Sequence, residues 1–215
     1  MTARLAGLLP GALDEQQSEV YRTITAGPRG TGPQAFPLVD EEGRLRGPFN
    51  AMLLSPPVGL AVQAVGAAVR YESVLPDRVR ELAILVVAAH WGSTFEWAAH
   101  EAVGRTHGLT EPELDALRAG GLPDLPDPAE RVALLATAAL TRTGALSDGQ
   151  YDDTVAAWGE RGMFELTTLV GYYALLALQL RVFAGEGPPD PAERRQTPHR
   201  ETPHRDTPHT ESGNP

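Results

Sequence analysis

Apolar residues recur along this chain at spacings of three and four, and no segment alternates convincingly with period two. That periodicity predicts helices throughout and an all-α fold. A first helix is expected over Leu13 to Thr25, opened by acidic residues and closed before Gly27-Pro28. Residues 26–48 are rich in glycine and proline and read as an irregular connection, long enough to be functional or packed against a partner. Ser55-Pro56-Pro57 has the form of a helix start, and Val58, Val62, Val65 and Val69 follow at helical spacing as one apolar face. Leu75-Pro76-Asp77 opens a third helix, through His90, that is apolar on most sides. This predicts the most buried helix of the fold.

Trp91-Gly92-Ser93 interrupts the pattern, and Ser93 with Glu96 has capping-box spacing for a fourth helix that runs to His107 and stops at Gly108. Thr110 with Glu113 repeats the box. Asp127-Pro128-Ala129-Glu130 opens a helix ending near Arg142, Ser147 to Gln150 opens another, and Gly162 to Ala184 supplies the last long one. The most apolar run, Leu166 to Leu180, contains Thr167, Thr168 and Gln179 and falls short of the roughly 20 apolar residues of a membrane span. It reads as a core helix.

The length of 215 residues suits one domain with a sizeable core, and an apolar share of 42% with 21% charge is ordinary for a folded chain. A net charge of −10, with no cluster of basic and aromatic residues, argues against nucleic acid as a partner. The N-terminal stretch has no signal-peptide form, so with no membrane span expected the protein is placed in the cytoplasm. There is no cysteine, which removes disulfides, zinc–thiolate sites and cysteine nucleophiles together. After Gly187 the chain turns to proline-dense Thr-Pro-His repeats carrying His199, His204 and His209. A helical domain over 1–186 and a disordered tail over 187–215 are therefore expected.

The segment Leu75 to Gly120 holds the residues that point to chemistry. It contains Arg80-Glu81-Leu82, then Phe95-Glu96-Trp97-Ala98-Ala99-His100, then Gly108-Leu109-Thr110 with an acidic turn. In this order, and with Gly47-Pro48-Phe49-Asn50, Ser55-Pro56 and Gly171-Tyr172-Tyr173 around them, the chain resembles the carboxymuconolactone decarboxylase/alkylhydroperoxidase-D-like family over about residues 13–184. The resemblance implies a compact multi-helix bundle that assembles as a homotrimer or hexamer. In the thiol-bearing relatives two cysteines precede the histidine. Aligned on His100, those positions hold Ser93 and Glu96, and the relatives' upstream proton-relay glutamate falls on Glu81. A serine alcohol cannot replace a redox thiol, so thiol peroxidase chemistry is excluded.

The decarboxylase-type relatives also carry a glutamate four residues before a histidine, which matches Glu96 and His100. That spacing puts both on one helical face. A carboxylate beside an imidazole suits general acid–base work near neutrality. Glu81, Glu96 and His100 are the catalytic candidates; Ser93, Arg46 and Arg70 are substrate-binding candidates, the arginines as anchors for a substrate carboxylate. Each has a bland alternative: Glu96 completing the Ser93 box, Glu81 pairing with Arg78 or Arg80 or facing solvent, His100 a core histidine, and Tyr172 and Tyr173 core or subunit contacts. Glu96 and His100 lack a third metal ligand in sequence, so no metal and no cofactor are expected. Two functions remain in view. One is a cofactor-free lyase or isomerase acting on a small carboxylated or lactone substrate; the other is a non-catalytic helical oligomer that binds a metabolite or protein partner.

Overall fold

A computed structural model of the chain describes residues 4–31 and 37–183. After a 3-10 turn at Pro10–Ala12 come helices α1 (Glu15–Thr25), α2 (Pro28–Thr31), α3 (Phe49–Met52), α4 (Pro56–Tyr71) and α5 (Asp77–Trp91). Helices α6 (Thr94–Thr106), α7 (Glu111–Arg118), α8 (Pro128–Thr143) and α9 (Asp148–Phe183) follow. Among the described residues there is no strand, only an isolated bridge between Val39 and Leu45. The fold is all-α. The expected disordered tail and its His199, His204 and His209 lie outside the described residues.

Local signals set most boundaries. The Asp14 carboxylate accepts from the Gln17 backbone N–H at 2.8 Å while Gln17 reaches back to the Asp14 N–H, capping α1 reciprocally. Glu113 reaches back to the Thr110 N–H at 2.8 Å, and Asp127 caps α8 through the Ala129 and Glu130 N–H groups. Gly92 and Gly144 end α5 and α8 in the left-handed region, where a side chain is strained. The last two expected helices run on as α9, with one non-helical residue, Gly159, at their junction.

Helix α5 lies between two apolar clusters, as its all-round apolarity requires. Val79, Ala83, Ile84 and Val87 face a larger core shared with α1, α3, α4, α8 and α9. Leu82, Leu85 and Val86 face a smaller one with Leu114 and Leu117 of α7 and Leu134 and Ala138 of α8. Across this second face Arg78 binds Glu113 at 2.6 Å and Glu130 at 3.0 Å, tying α5 to α7 and α8. Among the described residues only α9 is long and apolar enough to cross a membrane by length and composition. Its Leu166, Leu169, Tyr173 and Leu176 are spent on the larger core.

Of the valines on the apolar face expected of α4, Val69 is buried and Val62 packs against the larger core, but Val58 is 58% and Val65 41% exposed. The helix also buries Gly59, Gln63 and Gly66. The cause is closeness: a Cβ at Gly59 would overlap the Met52 carbonyl, and one at Gly66 the Tyr172 hydroxyl. Glycines therefore let α4 approach α3 and α9 more tightly than a valine face allows.

Candidate active site

Gly92 turns the chain so that α6 folds back along α5, and this hairpin sets Glu81 against His100. The Glu81 Oε2 and His100 Nδ1 atoms lie 2.7 Å apart, with both side chains buried. The alternatives for Glu81 are absent because the neighbouring arginines are engaged elsewhere. Arg78 holds Glu113 and Glu130, and Arg80 holds Asp77 and the Leu75 carbonyl. The carboxylate bonded to the imidazole is thus Glu81, from the preceding helix, rather than Glu96 from the same one. A carboxylate on Nδ1 holds the ring orientation and favours one tautomer, with Nε2 left outside that bond. Tyr173 packs edge-on against the same ring, centroids 5.0 Å apart.

In front of His100 is a cavity of about 30 Å³. Its polar lining comes from four helices: Arg29 of α2, Arg70 of α4, Glu96 and His100 of α6, and Tyr172 and Tyr173 of α9. Burial pushes the Tyr172 phenol pKa up, and the Glu96 charge adds to it against the pull of Arg29 and Arg70. Burial does the same to Tyr173, with the Glu81 charge adding to it. Both phenols are therefore neutral donors near neutrality. Pro48 and Phe95 wall the cavity off from an outer cleft of about 320 Å³, which they also line.

The candidates do not all converge. Glu96, His100 and Arg70 line the cavity, with Glu81 behind His100. Arg46 lines the outer cleft instead, because the bend at Gly47 carries it to the other side of Phe95. Ser93 does not line the cavity: it is the N-cap residue of α6, and its buried Oγ has no hydrogen-bond partner. Its hydroxyl makes no cap bond, so the expected Ser93–Glu96 box does not form. Glu96 contributes to the cavity lining instead. Among the described residues no group of three or more His, Asp or Glu could hold a metal.

Two residues went unsingled or were read as structure. Arg29 sits in the glycine- and proline-rich connection, where nothing in the spacing marked it; the short α2 at Pro28–Thr31 brings it to Gln63 and Phe49. Tyr172 was read as packing, yet its buried hydroxyl has no partner.

Residues 56–139, from α4 into α8, match the model of the carboxymuconolactone decarboxylase family. No curated protein matches the chain. Solved structures share the fold. An uncharacterised peroxidase-related protein from Ralstonia eutropha, with an alkylhydroperoxidase AhpD core, superposes with a TM-score of 0.66 at 13% identity, over 88% of this chain and 94% of that one. A cysteine-to-alanine variant of the debrominase Bmp8, in complex with 2,3,4-tribromopyrrole, gives 0.59 at 14% identity over 85% and 90%. A peroxidase-related protein from Silicibacter gives 0.59 at 15% over the same shares. At these identities the likeness concerns the fold alone. Residues 56–139 thus match the carboxymuconolactone decarboxylase family's model, on an AhpD-like fold and in a chain without a cysteine.

Proposed function

We propose that this protein is a cofactor-free lyase or isomerase that moves a proton at carbon in a small carboxylated or lactone substrate. The observation that carries the reading is the buried Glu81–His100 bond behind a cavity that Glu96 and His100 share. In this reading His100 Nε2 takes the proton from a carbon next to a carbonyl, and the C–H electron pair moves onto the carbonyl oxygen. Glu81 balances the imidazolium that results. Return of the proton to a different carbon completes an isomerisation. Where a carboxylate lies β to the carbonyl, the C–C bond breaks instead, CO₂ leaves and its bonding pair enters the enolate; His100, which enters this branch already protonated from solvent, gives that proton to the carbon. Positioned acid–base groups of this kind contribute about 10²–10⁴-fold.

One observation favours the rival reading, a non-catalytic oligomer: a cavity of about 30 Å³ has room for a water or two and not for a substrate. Deuterium exchange separates the two. The full chain is incubated in D₂O with a panel of 3-oxo acids and unsaturated γ-lactones, and C–H exchange is followed by NMR. Catalysis predicts exchange that falls at least a hundredfold in His100→Gln. No exchange above buffer across the panel, or equal exchange in the variant, leaves the scaffold reading.

The resemblance implies a homotrimer or hexamer, and a surface of the structure supports assembly. Val62 and Val65 of α4 and Thr168, Gly171 and Leu175 of α9 line an open apolar groove of about 340 Å³. Phe164 on α9 is 70% exposed. Apolar faces of this kind on a soluble fold mark contact surfaces. Tyr172 lines both groove and cavity, so a partner seated there closes over the back of the site. A cytoplasmic location belongs to the same reading.

A further inference from the structure

We infer that Arg29 and Tyr172, backed by Arg70, form a seat for one carboxylate group of a small organic acid in the cavity before His100. The seat names the residues that hold the carboxylate at the site proposed above, and it rests on the acid–base reading for its place in turnover though not for binding. Three observations converge. First, the Arg29 guanidinium is fixed on one edge: its Nε donates to Gln63 Oε1 at 3.0 Å, and its Cζ lies over the Phe49 ring, 5.3 Å from the centroid. Its Nη2 is buried and has no hydrogen-bond partner. Second, the Tyr172 side chain is only 5% exposed, and its hydroxyl is likewise without a partner. Third, both atoms come together over Gly66, within 2.7 Å of the point where any other residue would place its Cβ.

Buried donors without partners are rare in folded proteins, because their lost hydration is not repaid. Here two stand side by side, held from behind, with a second guanidinium, Arg70, on the same cavity. A carboxylate offers two acceptor oxygens in one plane, which matches a guanidinium edge plus a phenol. The burial-raised pKa of Tyr172 keeps its proton in place to donate. The charge balance agrees: the cavity lining carries Arg29 and Arg70 against Glu96 alone, since Glu81 is bonded to His100. The volume of about 30 Å³ suits a carboxylate group and leaves the remainder of an acid to lie towards Pro48, Phe95 and the outer cleft.

The probes are sodium formate and sodium acetate, titrated into the full chain at constant ionic strength made up with chloride. Binding is read from the ring signals of ¹³C-labelled tyrosine. The expected result is a saturable shift of Tyr172 in the parent protein. Its dissociation constant should weaken at least tenfold in Arg29→Gln, several-fold for binding to Tyr172→Phe read on Tyr173, and stay unchanged in Asp152→Asn, an exposed position on α9 outside the cavity lining. If Arg29→Gln does not fold, Tyr172→Phe, which removes one oxygen, decides alone. No saturable shift in the parent means that the arginines only neutralise Glu96, and overturns the seat; equal affinity in all variants overturns it too. Carboxylate binding with the expected variant pattern but without deuterium exchange sinks the acid–base reading and leaves the seat standing.

Discussion

Phe95 packs against Gly47, so closely that a Cβ at position 47 would overlap the ring. Gly47 also has φ of 60°, a left-handed conformation that side chains resist. The contact holds the aromatic wall between the outer cleft and the inner cavity. Gly47→Ala is expected to cost about 1–2 kcal/mol from backbone strain and to displace the ring. Urea unfolding measures the first effect, and the Phe95 ring signals in NMR the second. Unchanged ring signals would show that the wall does not depend on this glycine.

Removing that wall should open the site. Phe95→Ala joins the cavity of about 30 Å³ to the cleft of about 320 Å³. Acids larger than acetate should then bind more tightly than they do to the parent, while formate, which needs no extra room, changes little. Calorimetric titration of a straight-chain series from formate to hexanoate tests this. A flat response along the series counts against Phe95 as the partition.

The Glu81–His100 bond makes His100 costly to remove. Its side chain is buried, bonded at 2.7 Å and packed against Tyr173. His100→Ala should therefore lose about 2–4 kcal/mol, more than a residue on an open pocket surface would. A double-mutant cycle with Glu81→Gln and His100→Gln should show coupling of about 1–3 kcal/mol by chemical denaturation. Additive losses would mean that the two groups are neighbours without a functional bond.

Acid should weaken the fold through two carboxylates. Burial pushes the Glu113 pKa up, but the Arg78 guanidinium and the Thr110 donors together outweigh it and hold the carboxyl below its ordinary range. For Glu165 burial is likewise outweighed, by Ser73, Arg161 and the Val74 N–H. A folded-state pKa below the unfolded one adds stability that is present above the unfolded value, about 4.3, and is lost as pH falls through the folded value. Melting temperature should hold from pH 7 to about 5 and then drop, and the drop should shrink in Glu113→Gln and Glu165→Gln. An unchanged acid limb in both variants would place the loss elsewhere.

The apolar groove between α4 and α9 predicts assembly. Light scattering should give a multiple of the chain mass, and Val65→Glu, at a 41% exposed position outside the core, should shift it to monomer with helicity intact. A monomeric parent protein would remove the oligomer. Separately, no hydroperoxide should be reduced with a dithiol as donor, because the chain has no cysteine.

Helix order, most boundaries and the burial of α5 were legible in the one-dimensional pattern, because they rest on periodicity, caps and breakers within a few residues of one another. So were Glu81, Glu96 and His100 as a group worth naming, and the loss of thiol chemistry. What each does locally was not. Ser93 and Glu96 have ideal box spacing and do not make the box; the orientation of α6 against α5 and α9 brings Glu96 to the cavity instead. The partner of His100 is nineteen positions away on the preceding helix. The break at Gly92 makes that meeting legible as a helix hairpin, but only the packing of α6 on α5 decides that Glu81, and not Glu96, is bonded to the ring. The packed face of α4 took in its glycines beside Val62 and Val69, since close approach to Met52 and Tyr172 decides packing and only tertiary structure shows what approaches. Arg29 joined the site, and Arg46 did not, for the same reason: the described stretches around them, 26–31 and 37–48, have no period to read, so their course was set by what they pack against rather than by any pattern in the chain.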